Sequence, residues 1–337
     1  MILITGGAGY IGSHVVKQLL KHNEDLLVID NFSTGISATI ETLQKIRSFN
    51  FIELDLKDFE KLSEIFAEYN IDTVMHFAAF SQVHESIQNP MRYYMNNTVN
   101  SSNLVKIASR YGVKNFIFSS TAAVYGEPNI LDADDNITEE TKTEPINPYG
   151  HSKLMIEKVL IDESGVNKNL NFCILRYFNV AGADLENDIP IIGESHNPET
   201  HLVPLVAKTA LGKGNNFTIF GDDYATLDGT CIRDYIHVDD LASAHIAALE
   251  YLKKNKSNIF NCGYGHGFSV KEVVEMIKKI SGNDFEVKII NRREGDPARL
   301  VANNKKILQL MKWEPQYDNL ELICKSALTW EKLNNNS

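Results

Sequence analysis

Tyr149 and Lys153 put a phenol and an ammonium four residues apart, in the run Asn147-Pro148-Tyr149-Gly150-His151-Ser152-Lys153. Asn147 suits a helix N-cap and Pro148 the first helical position. The run therefore predicts a helix start, and residues four apart on a helix share a face. A free tyrosine, with a pKa of about 10, is a poor base at neutral pH, and bringing it to about 7 takes roughly 4 kcal/mol. One ammonium about 4 Å away, at an effective dielectric near 20, supplies roughly that much. A helix N-terminus adds about 0.3–1 kcal/mol in the same direction. The pair can thus act as a general base toward a hydroxyl if another group takes up the electrons.

The start of the chain offers a place for such a group. Thr5-Gly6-Gly7-Ala8-Gly9-Tyr10-Ile11-Gly12 follows an apolar run and opens an amphipathic one. Glycines spaced as Gly7, Gly9 and Gly12, or equally as Gly6, Gly9 and Gly12, allow a tight turn. They also let backbone N–H groups approach a diphosphate at a helix N-terminus. Asp30 ends the next candidate strand, where a carboxylate can bond the adenosine ribose. No Arg or Lys occurs from Asn31 to Thr42, where a 2′-phosphate would need a cation. NAD is therefore expected rather than NADP. Asp55 ends the third strand and could accept from an adenine amino group or cap the helix near Asp58. Ala78 and Ala79, after His76-Phe77, could admit a cofactor or serve helix–sheet packing.

These groups need a scaffold that collects them. Candidate strands are 2–5, 26–30, 51–54, 73–77, 115–119 and 172–176; helical patterns lie at 11–21, 59–69, 97–111 and 149–163. The alternation predicts an α/β fold, a Rossmann-type doubly wound parallel sheet over residues 1–180. Ligands in such sheets bind at the carboxyl ends of the strands, where most of the named residues fall. Residues 181–337 read as a smaller mixed α/β substrate domain. It has helices at 202–211 and 241–252 and short strands at 218–220, 259–261 and 287–290, although Asp234–Tyr251 could pack back onto the first domain. The Asn-rich end, Asn334–Ser337, reads as a frayed tail.

Composition narrows the function classes. The 337 residues are 43% hydrophobic and 23% charged, as in a globular protein, and suggest two domains. A formal charge of -11 argues against a nucleic-acid partner. The four cysteines, Cys173, Cys231, Cys262 and Cys324, are widely spaced without a Cys-x-x-Cys, so reduced thiols and no metal are expected. No window reaches the apolar length of a membrane span. The first strand begins at Ile2, which leaves no room for a signal peptide, and a cytoplasmic protein is expected.

The glycine loop, Asp30, Ala78-Ala79, Ser119-Ser120-Thr121 and Tyr149-x-x-x-Lys153 resemble the extended short-chain dehydrogenase/reductase superfamily. Leu175-Arg176-Tyr177-Phe178-Asn179, the run Asp228–Val238 and Arg292-Arg293-Glu294-Gly295-Asp296 are similar to those of UDP-glucose 4-epimerases. The resemblance covers essentially the whole chain. It implies reversible interconversion of UDP-glucose and UDP-galactose through a 4-keto sugar and NADH, by a homodimer that retains NAD. Tyr149 would take the proton of the 4-hydroxyl, Lys153 would bond the nicotinamide ribose, and Thr121, often Ser in relatives, would bond the 4-oxygen. Tyr10, Ile11, Phe77, Asn96 and Phe178 would line the cofactor site, with Asn31 and Leu56 beside their acidic neighbours.

For the UDP-hexose, Arg233 and Arg293 can hold a diphosphate in bidentate fashion, or form surface ion pairs. Asn179 can donate to phosphate or sugar, Leu202 and Phe220 could flank the uracil or pack in the core, and Asp296 could bind a ribose. Three positions depart from the pattern. Ser81 stands where many relatives carry a Lys that touches the cofactor. Thr200-His201-Leu202 replaces an Asn-Asn-Leu, with His201 able to reach a phosphate or to sit on the surface. Leu300 replaces a bulky Tyr, so UDP-N-acetylhexosamines are expected to fit as well. Dehydratases of the superfamily need an acid–base pair after Thr121, and Ala122-Ala123 supplies none. A UDP-glucuronate epimerase, another nucleotide-sugar-modifying relative and a non-catalytic sugar-nucleotide binder are the alternatives.

Overall fold

The computed structural model describes residues 1–128, 136–186, 189–213, 216–293 and 296–334. Glu294 and Gly295 of the Arg292–Asp296 run, and Asn335–Ser337 of the tail, lie outside them. Six strands fall close to the expected places: β1 (Ile2–Thr5), β2 (Leu26–Asp30), β3 (Asn50–Glu53), β4 (Thr73–His76), β5 (Asn115–Thr121) and β6 (Asn171–Tyr177). They pair in parallel in the order β3-β2-β1-β4-β5-β6. Every residue of β1, β2 and β4 is buried, because helices cover both faces of the sheet. Alternate residues feed opposite cores: Ile4, Val28 and Met75 enter one, and Leu3, Leu27 and Val74 the other. The order reverses between β1 and β4, which opens a crevice at the carboxyl ends of those strands.

Several elements differ from the sequence reading, among them the helices Val270–Ser281 and Leu320–Leu333 that it did not give. Ile259–Asn261, expected in the second half, belongs to Asn258–Cys262, a seventh strand of the main sheet paired in parallel with β6. It returns there because Phe260, Asn261 and Cys262 are fully buried and the helix Val238–Leu252 covers the same face. That helix packs on Tyr10–Lys21 of the first domain. His14 Nδ1 lies 2.6 Å from Asp239 Oδ1, and Gln18 Nε2 donates to the Asp239 carbonyl at 2.8 Å. An unanticipated helix, Ser37–Ile46, buries only Ile40 and Leu43, so its period is faint in the sequence. The helix expected at Asn97 starts earlier, and its Tyr94–Asn100 section is π-helical. There the Asn97 side chain accepts from Phe80 N and donates to Phe80 O, both at 2.9 Å, a local competition that suits a widened turn.

Among the described residues, three small sheets lie beyond the main one. Phe217–Phe220 pairs in parallel with Val287–Ile290, and Asn179–Ala181 with Tyr235–His237. Ile232–Arg233 sits between Phe268–Ser269 and Arg299–Leu300. No helix among the described residues is long and apolar enough to cross a membrane.

The helix carrying Tyr149 runs from Pro148 to Val166, and the Asn147 side chain caps it by accepting from Gly150 N at 2.9 Å. A buried ion pair clamps it to the sheet. Arg176 on β6 donates from Nη2 to Glu157 Oε2 at 2.6 Å and from Nε to both carboxylate oxygens at 3.1 Å. Ser120 on β5 donates to Glu157 Oε1 at 2.5 Å. Removing one partner of a buried pair leaves the other charge uncompensated. Glu157→Ala is therefore expected to cost about 3–5 kcal/mol of stability, read as a lowered urea midpoint. An unchanged midpoint would contradict the clamp.

Candidate active site

The glycine loop closes the amino end of the crevice. Gly6 has φ +77, and a Cβ there would lie 2.6 Å from Ala78 N, so the turn after β1, pressed against the end of β4, has room only for glycine. A Cβ on Gly12 would lie 2.2 Å from the Gly6 carbonyl oxygen, which keeps the helix tight on the loop. Gly9 is the N-cap of Tyr10–Lys21, and no side chain caps that end, so its first amides face the crevice. Gly7 points away: a Cβ there would meet the Val28 side chain at 2.4 Å. Asp30 braces the loop, with Oδ2 accepting from Ala8 N at 2.9 Å and Oδ1 from Phe32 N at 2.8 Å. Burial pushes its carboxyl up, and those amides oppose the push. Asp55 does not cap the next helix, since Asp58 does. Its own Oδ1 accepts from Lys57 N at 2.9 Å.

The opposite wall carries the pair. Tyr149, Lys153 and Thr121 are all buried. The Thr121 hydroxyl, at the end of β5, accepts from Ala123 N at 3.1 Å. Lys153 Nζ donates to the Ser119 carbonyl at 2.8 Å and lies 4.9 Å from the Phe118 ring centre. The electrostatics differ from the expectation of a phenol drawn toward neutrality. Burial, then the neighbouring Tyr177, push Tyr149 well above 10, and only the Thr121 hydroxyl pulls the other way. Burial also pushes Lys153 down to about 7. Desolvation dominates, so the chain's own groups do not ionise the phenol.

Both walls face one cavity of about 620 Å³. Gly6, Gly9, Tyr10, Ile11 and Gly12 line it at one end, with Asp30, Asn31, Asp55 and Leu56 along the strand tips. Phe77, Ala78, Ala79, Ser81 and Asn96 line the middle, beside Thr121, Tyr149, Lys153 and Phe178. Asn179, His201, Leu202, Phe220, Arg233, Arg293, Asp296 and Leu300 form the far wall. The structure thus brings every candidate site residue to one space.

The far wall is built from the small sheets. Arg233 is buried, and its Nη2 is paired with Asp296 Oδ1. Its Nη1 donates to the Ile232 carbonyl at 2.7 Å. Arg293 stacks over the Phe220 ring at 3.7 Å, leaving its guanidinium edge for other partners. His201 is held in the wall by Glu199, with Nδ1 2.8 Å from Oε1. Burial disfavours its charge, but Glu199 and Glu194 still push it up to about 9. Leu300 lies opposite Arg233 in the strand register and packs against the small apolar cluster that includes Phe178 and Ala122.

Residues 2–263 match the model of the NAD dependent epimerase/dehydratase family. The chain belongs to that family. Within it, the UDP-glucose 4-epimerase of Halalkalibacterium halodurans is 46% identical over 334 residues, 98% of this chain and 95% of the relative. The structure of the UDP-Glc/GlcNAc 4-epimerase from Campylobacter jejuni superposes with a TM-score of 0.87 at 53% identity, covering 98% of this chain and 99% of that one. That of UDP-glucose 4-epimerase from Bifidobacterium longum, in complex with NAD+ and UDP, gives 0.92 at 37% identity, covering 99% of each.

Sequence reasoning missed several groups in this family member's cavity. Tyr177, Ser119, Glu194, His196 and Cys231 also line it. Tyr177 and Ser119 stood inside runs already singled out, but only the sheet shows that they end adjacent strands, with Thr121 paired to Tyr177. Nothing in the local sequence marks Glu194 or His196.

Proposed function

We propose that this protein is an NAD-dependent UDP-glucose 4-epimerase, inverting C4 of UDP-glucose and UDP-galactose in either direction. The observation that carries this is the single cavity shared by Tyr149, Lys153 and Thr121 with Arg233 and Arg293. The cofactor fits on the chain's own geometry. A side chain at Gly6 would collide with the Ala78 backbone, the first amides after Gly9 face the crevice, and Asp30 closes the strand edge. When bound, NAD supplies an acceptor that takes and returns the C4 hydride, and a cationic ring whose charge offsets the burial of Tyr149.

Gly9, Tyr10, Ile11 and Gly12 hold the diphosphate, Asp30 and Asn31 the adenosine ribose, and Asp55 and Leu56 the adenine. Phe77, Ala78, Ala79, Ser81, Asn96 and Phe178 shape the remaining cofactor wall. Tyr149 accepts the proton of the sugar 4-hydroxyl and gives it back, Thr121 orients the 4-oxygen, and Lys153 supports the charge on Tyr149. Arg233 and Arg293 grip the substrate diphosphate with Asn179 and His201, Leu202 and Phe220 flank the uracil, and Asp296 takes a ribose hydroxyl. The dinucleotide site falls to residues 1–180, with Asp234–Tyr251 packed on it, and the sugar-nucleotide site to 181–337. A carboxylate-bearing substrate such as UDP-glucuronate has no assigned cation here, and a dehydratase lacks its acid at Ala122-Ala123. Conversion of UDP-galactose without added NAD tests both activity and cofactor retention despite Ser81; no product even with NAD added would refute the reading.

Leu300 favours a wider sugar specificity, and the Campylobacter jejuni relative is a UDP-Glc/GlcNAc 4-epimerase. Leu300→Tyr is expected to lower kcat/KM for UDP-N-acetylglucosamine at least tenfold while changing that for UDP-glucose little, a difference of about 1.4 kcal/mol. Equal losses on both substrates would dismiss Leu300 as a gate.

The protein acts as a homodimer in this reading. Met91, Met95, Met155 and Ile161 are exposed apolar residues on adjoining helices, and Thr98 Oγ1 touches Met155 Sδ at 3.9 Å. Such a face is buried by a symmetric partner more readily than left in water. Sedimentation should give twice the 37.9 kDa chain mass; a particle of the single mass would refute it. The four cysteines are unpaired and buried, which suits the reducing cytoplasm where we place the protein.

A further inference from the structure

At the cavity wall ahead of the helix Leu202–Ala210 stand Glu194, His196, Glu199 and His201, and the reaction described above uses only His201. One ligand-type atom each from Glu194, His196 and His201 lie within 4.8 Å of one another. The backbone aims both carboxylates. Glu194 Oε1 accepts from Ser195 N at 2.9 Å and His196 N at 3.1 Å, and Glu199 Oε1 accepts from Thr200 N and His201 N, both at 2.7 Å. Each carboxylate keeps its other oxygen over. Glu199 Oε2 is buried with no hydrogen-bond partner, on a side chain only 3% exposed. Glu194 Oε2 meets His201 Nδ1 only at 3.8 Å. His196 Nδ1 pairs with Glu194 Oε1 at 2.5 Å. An unsatisfied buried carboxylate oxygen is costly, so Glu199 Oε2 calls for a partner.

We propose that Glu194, His196 and His201, with Glu199 beside them, bind a divalent transition-metal ion of the zinc class on the wall of the cavity. Imidazole nitrogen with carboxylate oxygen is the donor set such ions take. Ligands about 2.0–2.2 Å from an ion stand roughly 3–3.5 Å apart, and the distances within the cluster bracket that spacing. The backbone amides on Oε1 of each carboxylate are the outer supports such a site needs. Trp330 steadies the loop from behind, its Nε1 donating to the Glu194 carbonyl at 2.6 Å. Glu194 and both imidazoles line the cavity, so an ion enters from that side, displacing the imidazole protons. The proposal stands on the cluster alone and not on the epimerase reading.

Equilibrium binding to full-length holoenzyme, first stripped with EDTA, tests it without any activity assay. Cobalt(II) is added, bound metal is counted by elemental analysis, and the visible ligand-field bands are followed through displacement by zinc. The expected result is one ion per chain, with affinity lowered about 10–100-fold in Glu199→Gln and at least that much in His196→Ala. Wild-type protein that keeps no ion through desalting overturns the proposal without reference to any variant. So does an ion bound equally well by both variants, because it then sits elsewhere.

Discussion

Tyr149→Phe is expected to keep the fold and the bound NAD while lowering turnover of UDP-galactose by about 10²–10⁴-fold, the usual worth of a positioned general base. The substitution isolates the hydroxyl. The ring is buried and meets Tyr93 edge-on at a centroid distance of 6.4 Å, a contact that phenylalanine repeats. Only the proton-accepting oxygen is lost, with its hydrogen bonds to Thr121 and Tyr177. KM should change little, because the grip on the substrate lies in Arg233 and Arg293 across the cavity. Circular dichroism and NAD content check the fold, and initial rates check the chemistry. Turnover within threefold of the parent would remove Tyr149 from the mechanism.

Lys153→Met is expected to lower the rate at neutral pH by about 10²–10³-fold, since it removes the ammonium that supports the charge on Tyr149 during proton transfer. Its pH profile separates this role from a structural one. Without the ammonium, Tyr149 is ionised only at higher pH, so the variant's rate should keep climbing into the alkaline range where the parent has levelled off. Burial already pushes Lys153 down to about 7, so the fold holds this ammonium at a cost. Methionine removes that cost and retains the packing over Phe118, so the melting temperature should not fall. A variant slowed by the same factor at every pH, or one that simply unfolds, would show that Lys153 braces the Ser119 strand end and nothing more.

How much of this was legible in the sequence depends on where the forces act. β1, β2 and β4 were readable because strands buried on both faces must be apolar throughout. The helix at Pro148 was readable because Asn147 and Pro148 are local signals, and the Gly6–Gly12 turn because only glycine tolerates its conformation and close approach. The seventh strand, Asn258–Cys262, was not assigned to the main sheet, because its partner β6 lies far back in the chain and no local pattern records the return. The helix Ser37–Ile46 escaped because two buried residues make too weak a period. The charge state of Tyr149 could not be read from spacing at all. Tyr149 and Lys153 share the helix Pro148–Val166 as expected, but burial and Tyr177 hold the phenol protonated. His201 was left between phosphate and surface, whereas Glu194 and Glu199 fix it in the cavity wall through tertiary placement.

C4 of a UDP-hexose is oxidised and re-reduced within one cavity, with no exchange of the transferred hydrogen. Incubating the protein with UDP-galactose deuterated at C4, in ordinary water, tests it most directly. The prediction is UDP-glucose that carries essentially all of the deuterium at the inverted C4, read by NMR and mass spectrometry. UDP-glucose whose C4 hydrogen comes from solvent would mean proton abstraction at carbon rather than hydride transfer, and would contradict the roles given to Tyr149 and to NAD.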